Sequence, residues 1–309
     1  MDIFLQQLIN GLVLGSVYAL IALGYTMVYG ILELINFAHG EVVMIGAMVS
    51  LAVVNALVAG GVDVPATMLI LAGLMVAILV CAIIGFLVER VAYRPLRKAP
   101  RLAPLITAIG VSIVLQNIAM MVWGKKYISF PSILPSQHYD IAGATITDVQ
   151  ILIVILSVSL MAGLATLIKN TSIGRAMRAT AQAPEVAGLM GVDVNRVISI
   201  TFIMGSILAA IAGLMVSAYY GIAHYTMGFM LGLKAFTAAV LGGVGNIPGA
   251  MLGGLLLGII ESMGAGYIGD LSGGLLGSHY QDVFAFFVLI GVLVLRPSGL
   301  LGERVAERP

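Results

Sequence analysis

The sequence predicts an all-α protein: a polytopic integral membrane helix bundle of about eight or nine transmembrane helices, with discontinuous segments and one long polar loop. Three observations lead there. Mean hydropathy is +1.11 and only 9% of the 309 residues are charged, which excludes an ordinary soluble surface. Nine apolar runs reach the roughly 20 residues that a helix rising about 1.5 Å per residue needs to cross about 30 Å of hydrocarbon. The runs are unbroken rather than alternating, so they read as helices and not as barrel strands.

In order, the runs cover residues 5–29, 39–59, 67–92, 103–123, 148–168, 197–220, 229–245, 249–268 and 280–296. The first follows "MDIF" without a basic flank and is longer than a signal-peptide core, so it is expected to be a retained span. Cys81 lies inside the third and reads as a small buried apolar residue. Twelve basic residues fall in three clusters: Arg90, Arg94, Arg97, Lys98 and Arg101; Lys169, Arg175, Arg178 and Arg196; and Arg296, Arg304 and Arg308. Their retention in the cytoplasm puts the amino terminus outside and the carboxyl terminus inside. The intervening connections carry Asp63, Asp140, Asp148, Asp270 and Asp282, with Lys125 and Lys126 as exceptions. Nine spans fit the parity; eight need one re-entrant candidate and one moved boundary, and hydropathy alone does not separate the two.

No Ser-, Pro- or Gly-rich linker divides the chain, so residues 1–309 read as one membrane domain with two long polar connections. The outer one, 124–147, holds prolines and β-formers and reads as a small lid or ribbon. The inner one, 169–196, is "KNTSIGRAMRATAQAPEVAGLMGVDVNR". It offers Ser or Thr as a helix N-cap, Pro184 and Glu185 as first-turn residues of a second short helix, and Gly191 as its stop. That pair presents Val186, Leu189 and Met190 as an apolar patch beside Arg175 and Arg178. A knob that docks a cytosolic protein and an amphipathic segment resting on headgroups both fit this pattern.

Two interruptions mark a candidate translocation path. The first, "GYTMVYGILELINFAHGEVVMIGA", carries Glu33, Asn36, His39 and Glu41; the second, "KAFTAAVLGGVGNIPGAMLGG", carries Gly245, Asn246 and Pro248. Unwound backbone at membrane depth is tolerated only beside protein or water, so paired interruptions point to a path, although an ordinary inner turn is the plainer alternative for each. Both follow an inward-going span and precede an outward-going one, which suggests a weak parallel repeat. Small residues at four-residue spacing, Gly11, Gly15 and Ala19, Gly205, Ala209 and Gly213, Gly249 and Gly253, and Gly254 and Gly258, allow close helix contact.

Catalytic constellations are nearly absent. His39, His138, His224 and His279 are scattered without a zinc spacing, no GxSxG elbow occurs, and none of the five lysines completes a phosphate-binding loop. The chain is therefore expected to be no enzyme, to hold no metal or cofactor, and not to hydrolyse nucleotide by itself. Ionisable residues inside spans are costly unless paired: Glu33, Glu41, Lys234 and Glu261. Glu261 is the one mid-span candidate for proton relay, and its plainer reading is a partner for Lys234.

The stretches "GLVLGSVYALIALGYTMVYGI", "INFAHGE", "GRAMRATAQAPEVAGLMGV", "LGLKAFTAAVLGGVGNIPGAMLGG" and "RPSGLLG" together resemble the permease of bacterial high-affinity branched-chain amino-acid ABC transporters, over residues 5 to 302. In such importers an EAA-type loop docks the ATPase; here Glu185, Ala187 and Gly191 match it and Val186 replaces the middle Ala. The resemblance implies that 169–196 is a cytoplasmic coupling loop, with Arg175, Arg178, Glu185, Val186, Ala187, Leu189, Met190 and Gly191 as its contact residues. It further implies an inner-membrane subunit partnered by a second related permease, two cytosolic ATPases that bind the ATP, and a periplasmic amino-acid-binding protein, with no nucleic acid. Asn36, His39, Glu41, Gly245, Asn246, Pro248 and Glu261 are the expected path residues. A stand-alone secondary transporter or channel coupled through Glu261 is the rival reading, and an intramembrane enzyme lacks a nucleophile and base.

Overall fold

The computed structural model describes residues 2–97, 99–100, 102–131, 133, 137–141, 143–271, 280–296 and 298–302. Lys98, Arg101, His279, Arg304 and Arg308, and the side chain of Asp270, lie outside what is described. Among the described residues there are eleven α-helices: α1 (Asp2–Leu32), α2 (His39–Ala59), α3 (Ala66–Leu87), α4 (Leu102–Trp123), α5 (Asp148–Asn170), α6 (Ser172–Gln182), α7 (Pro184–Leu189), α8 (Val194–Tyr220), α9 (Met227–Gly242), α10 (Ile247–Leu271) and α11 (Gln281–Leu295). Four short strands complete the list: β1 (Ile128–Ser129), β2 (His138–Ile141), β3 (Ala144–Thr147) and β4 (Ile222–Ala223).

Seven helices are long and apolar enough to cross a membrane, and α9 and α11 are shorter apolar helices. Each of the nine expected runs is thus a helix. The main departures have local causes. α8 starts at Val194 because the Asp193 side chain accepts from the Arg196 N–H at 3.1 Å and caps it. α3 runs on through a π-helical turn (Val88–Tyr93) and a 3-10 turn (Arg94–Leu96), so its helical stretch extends over 31 residues. α9 stops at Gly242, and its 16 residues rise only about 24 Å, less than a full crossing. The outer connection is a ribbon as expected: β2 pairs antiparallel with β3, and β1 pairs antiparallel with β4.

The chain forms two compact units. One comprises residues 27–135 and 163–233, and its centre is the mutual packing of α2, α3 and α8. Backbones meet there through small residues: Gly46 lies against Ala210, Gly213 against Val43 and Ala47, and Gly73 against Ser50. A cluster of Val28, Val88, Tyr93, Ala108, Ile198 and Phe202 fills the end of this unit nearest the π-turn.

The other unit comprises residues 1–26, 136–162 and 234–309. Here two stripes singled out in the sequence find each other: Gly11 and Gly15 of α1 sit directly on Gly258 and Leu255 of α10, and Ala19 sits on Gly254. Gly253 of α10 similarly meets Ala238 and Gly242 of α9. Gln6 ties the β2–β3 ribbon to α1, accepting from the Thr145 N–H at 2.8 Å and donating to its carbonyl at 3.1 Å.

Candidate functional site: the 169–196 loop and the interrupted helices

The inner loop folds as its residues dictate. The Thr171 hydroxyl accepts from the Gly174 N–H at 3.1 Å and caps α6; Pro184 stands in the first turn of α7; Gly191, at φ +88, ends it in a conformation a side chain would resist. Ala187 is buried, whereas Glu185 and Val186 are exposed and Leu189 and Met190 are 87% and 81% exposed. The apolar patch expected from the sequence is therefore real and faces solvent. The two arginines beside it have a job of their own. Arg178 donates to the carbonyls of Ile168 and Lys169 and Arg175 to that of Asn170, so both close the carboxyl end of α5. They tie α6 to the end of α5.

The loop's exit is riveted to the π-turn. Glu89, fully buried, accepts from Arg94 Nε and Nη2 at 3.2 Å each, from Arg97 Nη2, and from the Ser199 hydroxyl of α8 at 2.7 Å. Arg97 Nη1 also donates to Asn195 Oδ1 at 2.7 Å. In the same π-turn, the Tyr93 hydroxyl donates to Asn36 Oδ1 at 2.9 Å. The π-turn thus carries two sets of polar contacts, one to the start of α8, which follows α7, and one to the α1–α2 interruption. Sequence reading missed Glu89, Tyr93 and Ser199. Their only trace was a lone acid among the basic residues of "VERVAYRPLRK".

Asn36, His39 and Glu41 are all buried within the first unit described. Glu33, just before them, is the one non-glycine among the described residues with positive φ, at +52. Glu41 Oε1 accepts from the Ser112 hydroxyl at 3.1 Å. Ser112 lies at the middle of the 22-residue α4, and the carbonyl of Val42 meets Cys81, at the middle of the 31-residue α3 stretch, at 3.5 Å. α2 therefore begins halfway along its neighbours, and the segment 33–38 is an interruption at membrane depth.

The second expected interruption is built differently. Gly243 and Gly245 have φ of +108 and +89, Asn246 caps α10 by accepting from the Gly249 N–H at 2.9 Å, and Pro248 falls in the first turn of that helix. The Asn246 amide donates to Leu301 O at 2.8 Å, while the N–H groups of Leu300 and Leu301 donate to Leu241 and Gly242. Leu300 and Leu301 thus clasp this turn. Glu261, in the same unit, is 2.6 Å from Lys234 Nζ, which is also 2.8 Å from Asp282; the Tyr18 hydroxyl donates to Glu261 at 3.3 Å. The plainer sequence reading, a Lys234 partner, describes its geometry. Lys234, Glu261 and Asp282 line a small crevice with Thr237, Leu257, Ala285 and Phe286.

A third interruption escaped the sequence reading. Between α8 and α9, residues 221–226 start at Gly221 with φ +70 and include β4. They return the chain to the level of Glu41, since a Cβ on Gly40 would lie 2.3 Å from Gly228 O and 2.7 Å from Gly232 Cα. The first turns of α2 and α9 cross backbone to backbone.

With this geometry in place, the comparisons are consistent across the chain. A family model described as branched-chain amino acid transport system / permease component matches residues 7–293. The chain is 46% identical to the high-affinity branched-chain amino acid transport system permease protein LivH of Escherichia coli (strain K12), covering 99% of this chain and 97% of that one. It is 47% identical to the corresponding protein BraD of Pseudomonas aeruginosa, covering 99% and 98%. A probable branched-chain amino acid transport permease protein LivH of Methanocaldococcus jannaschii is 27% identical over 97% and 94%. No solved structure matches the chain. A polytopic helical bundle matched over nearly its whole length by one family model and by relatives of the same size, the chain belongs to the branched-chain amino acid transport system permease family.

Proposed function

We propose that this chain is the permease subunit of an ATP-binding-cassette importer that carries branched-chain, hydrophobic amino acids across the bacterial inner membrane. In this reading a second related permease completes the pathway, two cytosolic ATPases bind the ATP, and a periplasmic amino-acid-binding protein delivers cargo. The amino terminus is outside and the carboxyl terminus cytoplasmic. The observation that carries the proposal is α7: a short helix whose Val186, Leu189 and Met190 are bare to solvent while Ala187 anchors it. Apolar side chains held out on a braced loop suit a cleft on a partner protein. Full-length similarity to LivH and BraD supports the cargo class.

The work then follows a physical route. Closure of nucleotide-bound ATPases would displace α7, and the bracing by Arg175 and Arg178 makes the loop move as a body. α8 is clamped through Ser199 and Asn195 to Glu89 and its arginines, and Tyr93 carries the displacement to Asn36. Only contacts that differ between the two end states can transmit free energy, and packed interfaces of this kind switch rather than stretch. The Lys234–Glu261–Asp282 cluster favours no carrier reading, because Glu261 is held by a lysine. Glu185→Lys, which reverses the charge at the exposed start of α7, and Gly191→Trp, which puts a side chain at φ +88, test the route. Both variants are expected to insert normally but to uncouple ATP hydrolysis from uptake. Normal uptake by both at normal expression removes the loop from the mechanism.

A further inference from the structure

One buried group in the first unit has no structural use for half of its hydrogen-bonding capacity. Glu41 is 1% exposed, at mid-depth, in the first turn of α2. Its Oε1 is taken by Ser112, but Oε2, equally buried, has no hydrogen-bond partner among the described residues. Oε2 lies against the first turn of α9: a Cβ built on Gly228 would be 2.5 Å from it. A buried carboxylate oxygen left without a donor is expensive and calls for a ligand that supplies one. The surroundings also say what the rest of that ligand carries. α2 starts from Ala38, whose side chain caps nothing; the His39 and Glu41 N–H groups donate to the carbonyls of Asn36 and Ala38, so what the helix offers is its positive dipole end, crossed at Gly228 and Gly232 by the start of the 16-residue α9. An acceptor carboxylate beside two helix amino ends is complementary to an α-amino-acid zwitterion, with ammonium on Glu41 and carboxylate on the helix ends.

We propose that Glu41, with the amino-terminal turns of α2 and α9, is an ammonium-recognising site for the amino-acid zwitterion inside the permease, shut in this conformation by the Gly40–Gly228–Gly232 crossing. The crossing leaves no room for a ligand, because a single added Cβ on Gly40 already meets Gly228 O at 2.3 Å. Loading the site requires the α9 turn to withdraw from α2. This rests on the importer reading above and adds the recognition chemistry to it.

The test uses the full importer, with permease pair, ATPases and binding protein, in liposomes. Glu41→Gln keeps the shape and the acceptor for Ser112 but loses the charge; since a hydrogen bond to a charged group contributes roughly 1.5–3 kcal/mol, leucine uptake is expected to fall at least about tenfold. Glu41→Asp should retain an intermediate rate, and ATPase stimulation by leucine-loaded binding protein should persist in both. Uptake by Glu41→Gln within about twofold of wild type overturns the site, and so does parallel loss of assembly, ATPase activity and uptake, which marks a purely structural carboxylate. An independent arm needs no variant. Under turnover, the apolar carboxyl reagent dicyclohexylcarbodiimide should label Glu41 in the wild-type importer, mapped by peptide mass, and leucine with binding protein should protect it. No labelling, or labelling that leucine leaves unchanged, overturns the proposal. If instead the wild-type assembly shows no ATP-dependent leucine uptake, the importer reading itself has failed, which keeps the two failures distinct.

Discussion

Glu89 shows how much a single side chain can organise here. It is fully buried, yet both oxygens are occupied by two guanidinium groups and a hydroxyl from α8, so its charge is neutralised and solvated by protein. Burial pulls the Arg97 guanidinium below its ordinary value, and Glu89 beside it pushes back. Removing the carboxylate leaves two partly buried cations without their counter-ion. Glu89→Ala is therefore expected to cost about 3–5 kcal/mol, read as a lower thermal unfolding midpoint of the solubilised assembly. Tyr93→Phe removes one hydroxyl donor to Asn36 and should cost only about 1 kcal/mol. Its informative effect is on coupling: ATPase activity should persist while uptake per ATP falls. An unchanged ratio takes Tyr93 out of the transmission route.

At the scale of elements, close crossings of glycine stripes decide where helices lie. A Cβ on Gly258 would fall 2.2 Å from Gly15 N, so Gly258→Ala must push α10 away from α1 and should destabilise by about 1–3 kcal/mol, seen as reduced thermal stability in detergent. On α7 the logic reverses, because Leu189 and Met190 touch little of the chain itself. Leu189→Asp should leave stability unchanged and weaken ATPase capture by at least about tenfold, as expected for an anchor of about 1.4 kcal/mol or more. Elements of this kind were legible in the sequence: hydropathy located nine helices, and Thr171, Pro184 and Gly191 announced the inner helix pair through capping chemistry. The partnership of Gly11 and Gly15 with Gly258 was visible only as two separate stripes. The 221–226 segment was illegible, because "GIAHYT" resembles any outer connection and nothing local says that the chain returns to mid-depth. Glu41 was noticed, but its neighbours Ser112 and Gly228 come from distant sequence, and Glu89 was hidden among arginines whose count served only to set orientation. Long-range pairing, not propensity, supplies what was missing.

At the scale of the molecule, the proposed importer gives this chain a pathway and a handle, and the source of free energy lies in its partners. In the proposed importer the interrupted helices would provide switchable backbone, the Gly–Gly crossings discrete packings, and the exposed α7 an external lever. The most direct test reconstitutes the chain into liposomes twice, once with its related permease, ATPases and binding protein, and once alone, and follows labelled leucine against its gradient with and without ATP. Accumulation is expected only in the complete assembly and only with ATP. Accumulation by the isolated chain, with or without nucleotide, would contradict it.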